Sequence, residues 1–253
     1  MNANALPASR AWRAYALEAR CELLRMLREP AFCIPVIVFP ALFYVLFGVL
    51  LNRGNAGAAQ YLLASYGVFG VIGAAMFGFG VSIATDRDRG YLRLRRALPT
   101  PPGALLLARM AMAALFALLI SLLLAVLAAG LAGVRLAPGQ WLGLLAVNVA
   151  GVLPFAAIGL WVGSTVSGNA APVVLNVLYL PMAFLSGLWL PLSMLPDWLA
   201  RLGPAWPAYH LAQLAQKVVG HDDGGPAWLH ALVLAVVAGV FFVLARRRLA
   251  AAD

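Results

Sequence analysis

Six apolar runs dominate the chain, at residues 31–51, 61–85, 104–134, 141–166, 170–190 and 227–245. Each is close to the roughly 20 residues that a helix needs to cross a hydrocarbon core. Inside a bilayer the backbone has no water to bond to, so each run must satisfy itself as a helix. The predicted fold is therefore an all-α integral membrane protein, with six transmembrane helices in a single domain over residues 1–253. A chain that is 64% hydrophobic and only 11% charged excludes both disorder and a soluble globular domain. The third run is over-long, so it is expected to begin on the cytoplasmic side, with Arg109 snorkelling to the interface. The fifth contains Pro172, Asn176 and Pro181 and is expected to kink or break.

The net charge of +9 raises nucleic acid as a partner, but the basic residues lie in clumps between apolar runs. That is the pattern of positive-inside topology, and nucleic-acid binding is set aside. With the N-terminus inside, one face collects Arg10, Arg13, Arg20, Arg25, Arg28, the five arginines from Arg87 to Arg96, Arg109 and Arg246–Arg248. The other face collects Arg53, Arg135, Arg201 and Lys217. Fourteen against four places both termini in the cytoplasm. Trp141, Trp189, Trp198, Trp206 and Trp228 then fall at or beyond outer span ends, where indole rings anchor. The first run begins too far in for an ordinary secretory signal and is expected to act as an uncleaved signal-anchor. Cys21 and Cys33 are twelve helical residues apart, about 18 Å, and so cannot form a disulfide.

Three segments are polar or interrupted. Residues 10–29 place Trp12, Tyr15, Ala16, Ala19, Leu23, Met26 and Leu27 at helical spacing, with Arg13, Arg20, Arg25 and Arg28 around the rest of the wheel. This predicts an amphipathic helix lying in the interface, its arginines toward anionic headgroups, with Pro30 marking the turn into the bilayer. Residues 86–103 begin Asp86-Arg87-Asp88-Arg89-Gly90-Tyr91 and cannot remain in hydrocarbon. Thr85 or Asp86 can cap a helix there, with Tyr91, Leu94 and Leu98 on one face and Pro99 at its end. Such a helix is a handle for another protein; the plain alternative is a loop that only fixes topology. Residues 191–226, entered through Ser186, Gly187 and Trp189, carry Pro191, Pro196, Trp198, Trp206 and Pro207. They are apolar but too interrupted to span, which predicts a re-entrant hairpin dipping in from outside between spans five and six.

Within the spans, Gly70, Ala74, Gly78 and Ser82 form a small-residue stripe suited to close helix packing. Asn148 and Asn176 are intramembrane amides expected to bond to neighbouring helices, with substrate contact as the other reading. Catalytic machinery is sparse. The only lysine, Lys217, follows no glycine loop, so the chain has no phosphate-binding P-loop. His210, His221 and His230 show no metal-ligand spacing. Asp222-Asp223 beside His221 reads as a solvated turn. The rival of another class is a membrane-embedded hydrolase using Ser186 or Ser164 as nucleophile with His210 or His230 as base.

Three stretches together resemble a known family: the amphipathic helix before Pro30, the acidic/basic-glycine loop from Asp86 through Pro99 to Arg109, and Phe184-Leu185-Ser186-Gly187 through Pro191, Pro196 and Pro207. Over nearly the whole chain they are similar to the six-span permease subunit of type-2 ATP-binding-cassette (ABC) exporters, a class that includes drug-resistance and polysaccharide-export permeases. Tyr91 stands where that family usually has threonine, and Arg109 where lysine is common. The resemblance implies a multi-pass protein of the bacterial inner membrane that exports a hydrophobic or amphipathic cargo such as a drug, lipid or lipid-linked glycan. It implies a dimer with a second permease subunit and a separate ABC ATPase that holds ATP and magnesium, with no cofactor on this chain. Asp86, Arg87, Asp88, Arg89, Gly90, Tyr91 and Leu94 would form the coupling contact with the ATPase. Trp12, Arg13, Arg20 and Arg25 would belong to the connecting helix.

Overall fold

The computed structural model describes residues 8–91, 94 and 104–251, and every regular element among them is helical. Among the described residues, five helices are long and apolar enough to cross a membrane: Cys33–Leu50, Ala56–Asp88, Leu105–Gly130, Pro138–Thr165 and Ala227–Leu249. Numbered along the chain, the elements are α1 (Ala8–Leu27), α2 (Pro30–Phe43), α3 (Ala56–Asp88), α4 (Ala104–Gly130), α5 (Pro138–Thr165), α6 (Ala171–Leu185), α7 (Pro207–Val219) and α8 (Ala227–Ala251). The fifth predicted span is only 15 residues of helix in α6, about 22 Å long against a hydrocarbon core of about 30 Å.

Local chemistry sets the boundaries. Asn55 caps α3 by accepting from the Ala58 N–H at 3.0 Å, so the helix starts five residues before the predicted span. Pro138 opens α5, where Gln140 reaches back to the Ala137 N–H at 2.9 Å. Pro35 and Pro40 interrupt the hydrogen-bond ladder of α2, which widens into a π-helical stretch over Tyr44–Leu50. Asn52 closes that end by donating to the Phe47 carbonyl at 2.8 Å. The fifth run, expected to kink or break at Pro172, Asn176 or Pro181, is helical through all three and ends before Gly187, whose φ of +76° is left-handed backbone that glycine adopts without strain.

The most enclosed element is α3, its sides covered by α2, α4, α5, α6 and α7. Its closest approach is to α5. A Cβ at Gly159 would collide with the Met76 carbonyl, and one at Gly163 with the Gly80 carbonyl. Gly159 and Gly163 form a Gly-x-x-x-Gly pair, which lets two helix backbones touch. The predicted stripe on α3 lies elsewhere: Gly70 faces Pro40 of α2 and Ile120 of α4 at 2.8 and 2.7 Å from a Cβ, while Ala74 and Gly78 are buried. Between α6 and α8 the chain makes short helical turns over Leu192–Met194, Asp197–Ala200 and Gly203–Ala205, then α7. Helix α7 lies along α5, Val218 against Gly143 and Leu211 against Gly151.

Candidate functional site

The end of α3 gathers charge. Arg25 of α1 grips Asp86 with both guanidinium nitrogens, at 2.9 and 3.1 Å. Arg109, in the first turns of α4, bonds to the same carboxylate and stands 3.6 Å from Glu22 of α1. Asp86, Arg109 and Glu22 are all buried, Arg109 to 1% exposure. The cluster holds two cations and two anions, so no net charge is desolvated, which is the condition under which buried ions are tolerated. Arg109 therefore does not snorkel as expected: it is buried against Asp86 and Glu22, which supply partners inside. Nor does Asp86 begin a new helix. Helix α3 runs on to Asp88 and turns only at Gly90, φ +74°, so Asp86 faces inward from its last complete turn. Glu22 escaped the sequence reading. Its signal was an acid one turn before Arg25, on a helix that carries Glu18 and several arginines besides.

The next two residues bond to the end of α5 and the turn after it. Arg87 donates to the carbonyls of Gly163, Ser164 and Val166 at the end of α5, the first at 3.3 Å and the last at 2.7 Å. Asp88 accepts the Gly168 N–H at 2.7 Å, in the turn that leads to α6. Beyond them Arg89 is exposed, as are Tyr91 at 48% and Leu94 at 61%. The Leu94 N–H returns to the Gly90 carbonyl at 3.2 Å, so the chain is helical again there. Residues 92, 93 and 95–103 of the predicted coupling loop, Leu98 and Pro99 among them, lie outside the described residues, as does the side chain of Trp12. Arg13 and Arg20 are exposed on α1.

A cavity of about 430 Å³ opens between α2, α3 and α6, walled by Phe39, Phe43, Phe69, Phe77, Tyr179 and Trp189. Phe69 stacks on Tyr179 with centroids 4.9 Å apart, and Tyr179 donates to the Phe69 carbonyl at 2.8 Å. Asn176 lines the cavity and bonds to the Pro172 carbonyl of its own helix at 3.0 Å, instead of to a neighbour as expected. Asn148 does cross helices, donating to Ser121 Oγ at 2.8 Å.

At the opposite end of α3, the residues singled out for the hairpin are spread along its course. Ser186 is buried and Gly187 reverses the chain; the Gly187 carbonyl accepts from Tyr61 at 3.0 Å. Pro191 and Pro196 precede the short turns, Trp198 is exposed, and Pro207 opens α7. His210 bonds to His230, Nδ1 to Nδ1 at 2.9 Å, while its Nε2 meets the Pro204 carbonyl at 3.0 Å. A carbonyl only accepts, so Nε2 carries the proton and His210 Nδ1 accepts from His230. Burial holds the His210 imidazole below its ordinary value. No hydrogen bond joins either histidine to Ser186 or Ser164; Ser164 Oγ donates to the Trp161 carbonyl at 2.7 Å. The nucleophile–base pairing that a hydrolase requires is not assembled among these residues.

The described residues thus form a bundle of long apolar helices around one enclosed helix, with a charged hub at one end and an aromatic cavity at its side. The chain belongs to the ABC-2 transporters: the family described as "ABC-2 family transporter protein" matches residues 51–247. It is 28% identical over 229 residues to the "Putative transport permease YvfS" of Bacillus subtilis (strain 168), covering 89% of this chain and 92% of that protein. It is a multi-pass membrane protein and the transmembrane component of an ABC transporter, a transporter subunit rather than an enzyme.

Proposed function

We propose that this chain is the membrane-spanning subunit of an ATP-driven exporter for a hydrophobic or amphipathic substrate, with ATP and magnesium bound by a separate ABC ATPase. One observation carries the reading: α3 ends in charges bonded to α1, α4, α5 and the turn before α6, and is followed by a small exposed patch of Arg89, Tyr91 and Leu94. An apolar pair flanked by a cation, at the end of the most enclosed helix, is a surface on which a partner can push. In this reading α6 is the short fifth of six spans, both termini are cytoplasmic in a bacterial inner membrane, and α1 lies at the interface as the connecting helix. The 191–226 segment re-enters from outside, an arrangement that α7 lying along α5 supports. The aromatic cavity takes part in the path for a drug, lipid or lipid-linked glycan, since its walls are apolar. The exposed apolar faces of α2 and α6 next to it (Ile34, Val38 and Leu42; Val173 and Val177) face a second permease subunit.

The test preserves every charge. Tyr91→Ala with Leu94→Ala leaves the hub and all arginines intact, so insertion and folding are expected to be normal. Co-purification of the ATPase, or its stimulation by the permease, is expected to be lost. Normal association and hydrolysis by the double variant would reduce the loop to a topology signal.

A further inference from the structure

Asp86, Arg87 and Asp88 are successive residues on the last turn of α3, about 100° apart, so they face three different neighbours. Asp86 holds α1 and α4. Arg87 occupies carbonyls at the C-terminus of α5, which have no helical N–H left to accept from. Asp88 takes the Gly168 N–H in the turn at 166–170, from which α6 departs, and its other oxygen lies 3.5 Å from Arg87. That turn is pressed against α3: a Cβ at Gly168 would stand 3.1 Å from both Cα and Oγ1 of Thr85. The Ser167 carbonyl accepts from Ala170 and Ala171, fixing the entry into α6. Five residues into that helix comes Asn176, then Tyr179 and Leu180, which form one wall of the aromatic cavity. A continuous set of short bonds thus runs from the patch at 89–94 to the cavity wall.

We propose that Arg87 and Asp88 are positioning residues that make the exposed Arg89 and Tyr91, the end of α5 and the start of α6 move as one body, so that a push on the patch reaches the cavity through α6. The inference deepens the transport reading and rests on it. It also reassigns Asp88: its carboxylate, 41% exposed, acts as a hydrogen-bond acceptor for Gly168 and not as a charge offered to the ATPase. Asparagine separates these two roles, because its side-chain oxygen still accepts from Gly168 while the charge is gone. Alanine removes both.

The experiment uses the permease co-expressed and co-purified with its ABC ATPase, with Cys21 and Cys33 replaced by serine and reconstituted in phosphatidylethanolamine–phosphatidylglycerol vesicles. Nitroxides at Leu46→Cys, in the turn that continues α2, and Leu180→Cys on α6, both exposed and outside the residues assigned to the second subunit, report the distance between the α2 and α6 sides of the cavity. ATP with vanadate is expected to shift that distance in the parent and in Asp88→Asn. In Asp88→Ala the shift is expected to vanish although the ATPase stays bound and hydrolyses. A full shift in Asp88→Ala overturns the proposal, because the bond then carries nothing. Equal loss in Asp88→Asn and Asp88→Ala also overturns it, because charge alone would then matter. An ATPase that binds and hydrolyses without any shift in the parent removes this inference and leaves the transport reading standing. Absence of ATPase association with the parent removes the transport reading and this inference together.

Discussion

Removing the carboxylate of Asp86 is expected to be the most damaging single change in the hub. Asp86→Asn keeps the shape but leaves Arg109, a cation with no exposed side-chain surface, dependent on Glu22 at 3.6 Å. Two of its nitrogens, Nε and Nη1, already have no hydrogen-bond partner. Breaking a buried pair from one side costs about 3–5 kcal/mol, chiefly because the surviving charge is orphaned. For a chain of this size that corresponds to roughly 6–20 °C in apparent melting temperature. Arg109→Met is expected to cost less, since Asp86 keeps the two-bonded grip of Arg25 and the two unpaired donors disappear. Arg25→Gln should cost least, about 1–2 kcal/mol, because Arg25 is 30% exposed and solvent screens it. The decisive variant is Asp86→Asn with Arg109→Met, which removes both charges and should recover part of the loss caused by Asp86→Asn alone. The assay is thermal unfolding of detergent-solubilised protein followed by size-exclusion chromatography. Additive losses in the double variant would refute the reasoning, since they would show that the two residues do not act on each other.

Three further outcomes are expected. Gly163→Ala places a Cβ against the Gly80 carbonyl and should cost about 1–3 kcal/mol through overpacking, whereas Gly130→Ala, with open space around it, should be neutral in the same thermal assay. Because burial depresses the folded-state pKa of His210, its contribution is full above about 6.5, the ordinary histidine value, and is lost as pH falls through the lowered value. Melting temperature should therefore fall on acidification from pH 7.5 to 5, and His210→Gln should flatten that slope; an unchanged slope would contradict it. Cysteines introduced at Asn55 or Asp222 should react with a membrane-impermeant thiol reagent in intact cells and one at Arg95 should not, and labelling of Arg95→Cys would invert the topology.

Much of the fold is legible in the sequence because a bilayer forces long apolar runs to become helices, whatever they pack against. Apolar length alone therefore located the five long helices, while local caps such as Asn55 and Pro138 displaced their ends by a few residues. The shortness of α6 was signalled by Gly187 and Pro191, and Gly159 and Gly163 were present as a pattern, but which helix they would meet was not. The charged stretch was legible as polar, and there the periodicity misled. Asp86, Arg87 and Asp88 look like the solvated start of a loop. Only the tertiary structure brings Arg25, Glu22 and Arg109 to Asp86, the last carbonyls of α5 to Arg87, and Gly168 to Asp88. The physical reason is that hydrophobic partitioning acts on each segment separately and can be read one run at a time. Charge pairing depends on which residues from distant parts of the chain arrive within about 4 Å, and sequence order does not encode that distance.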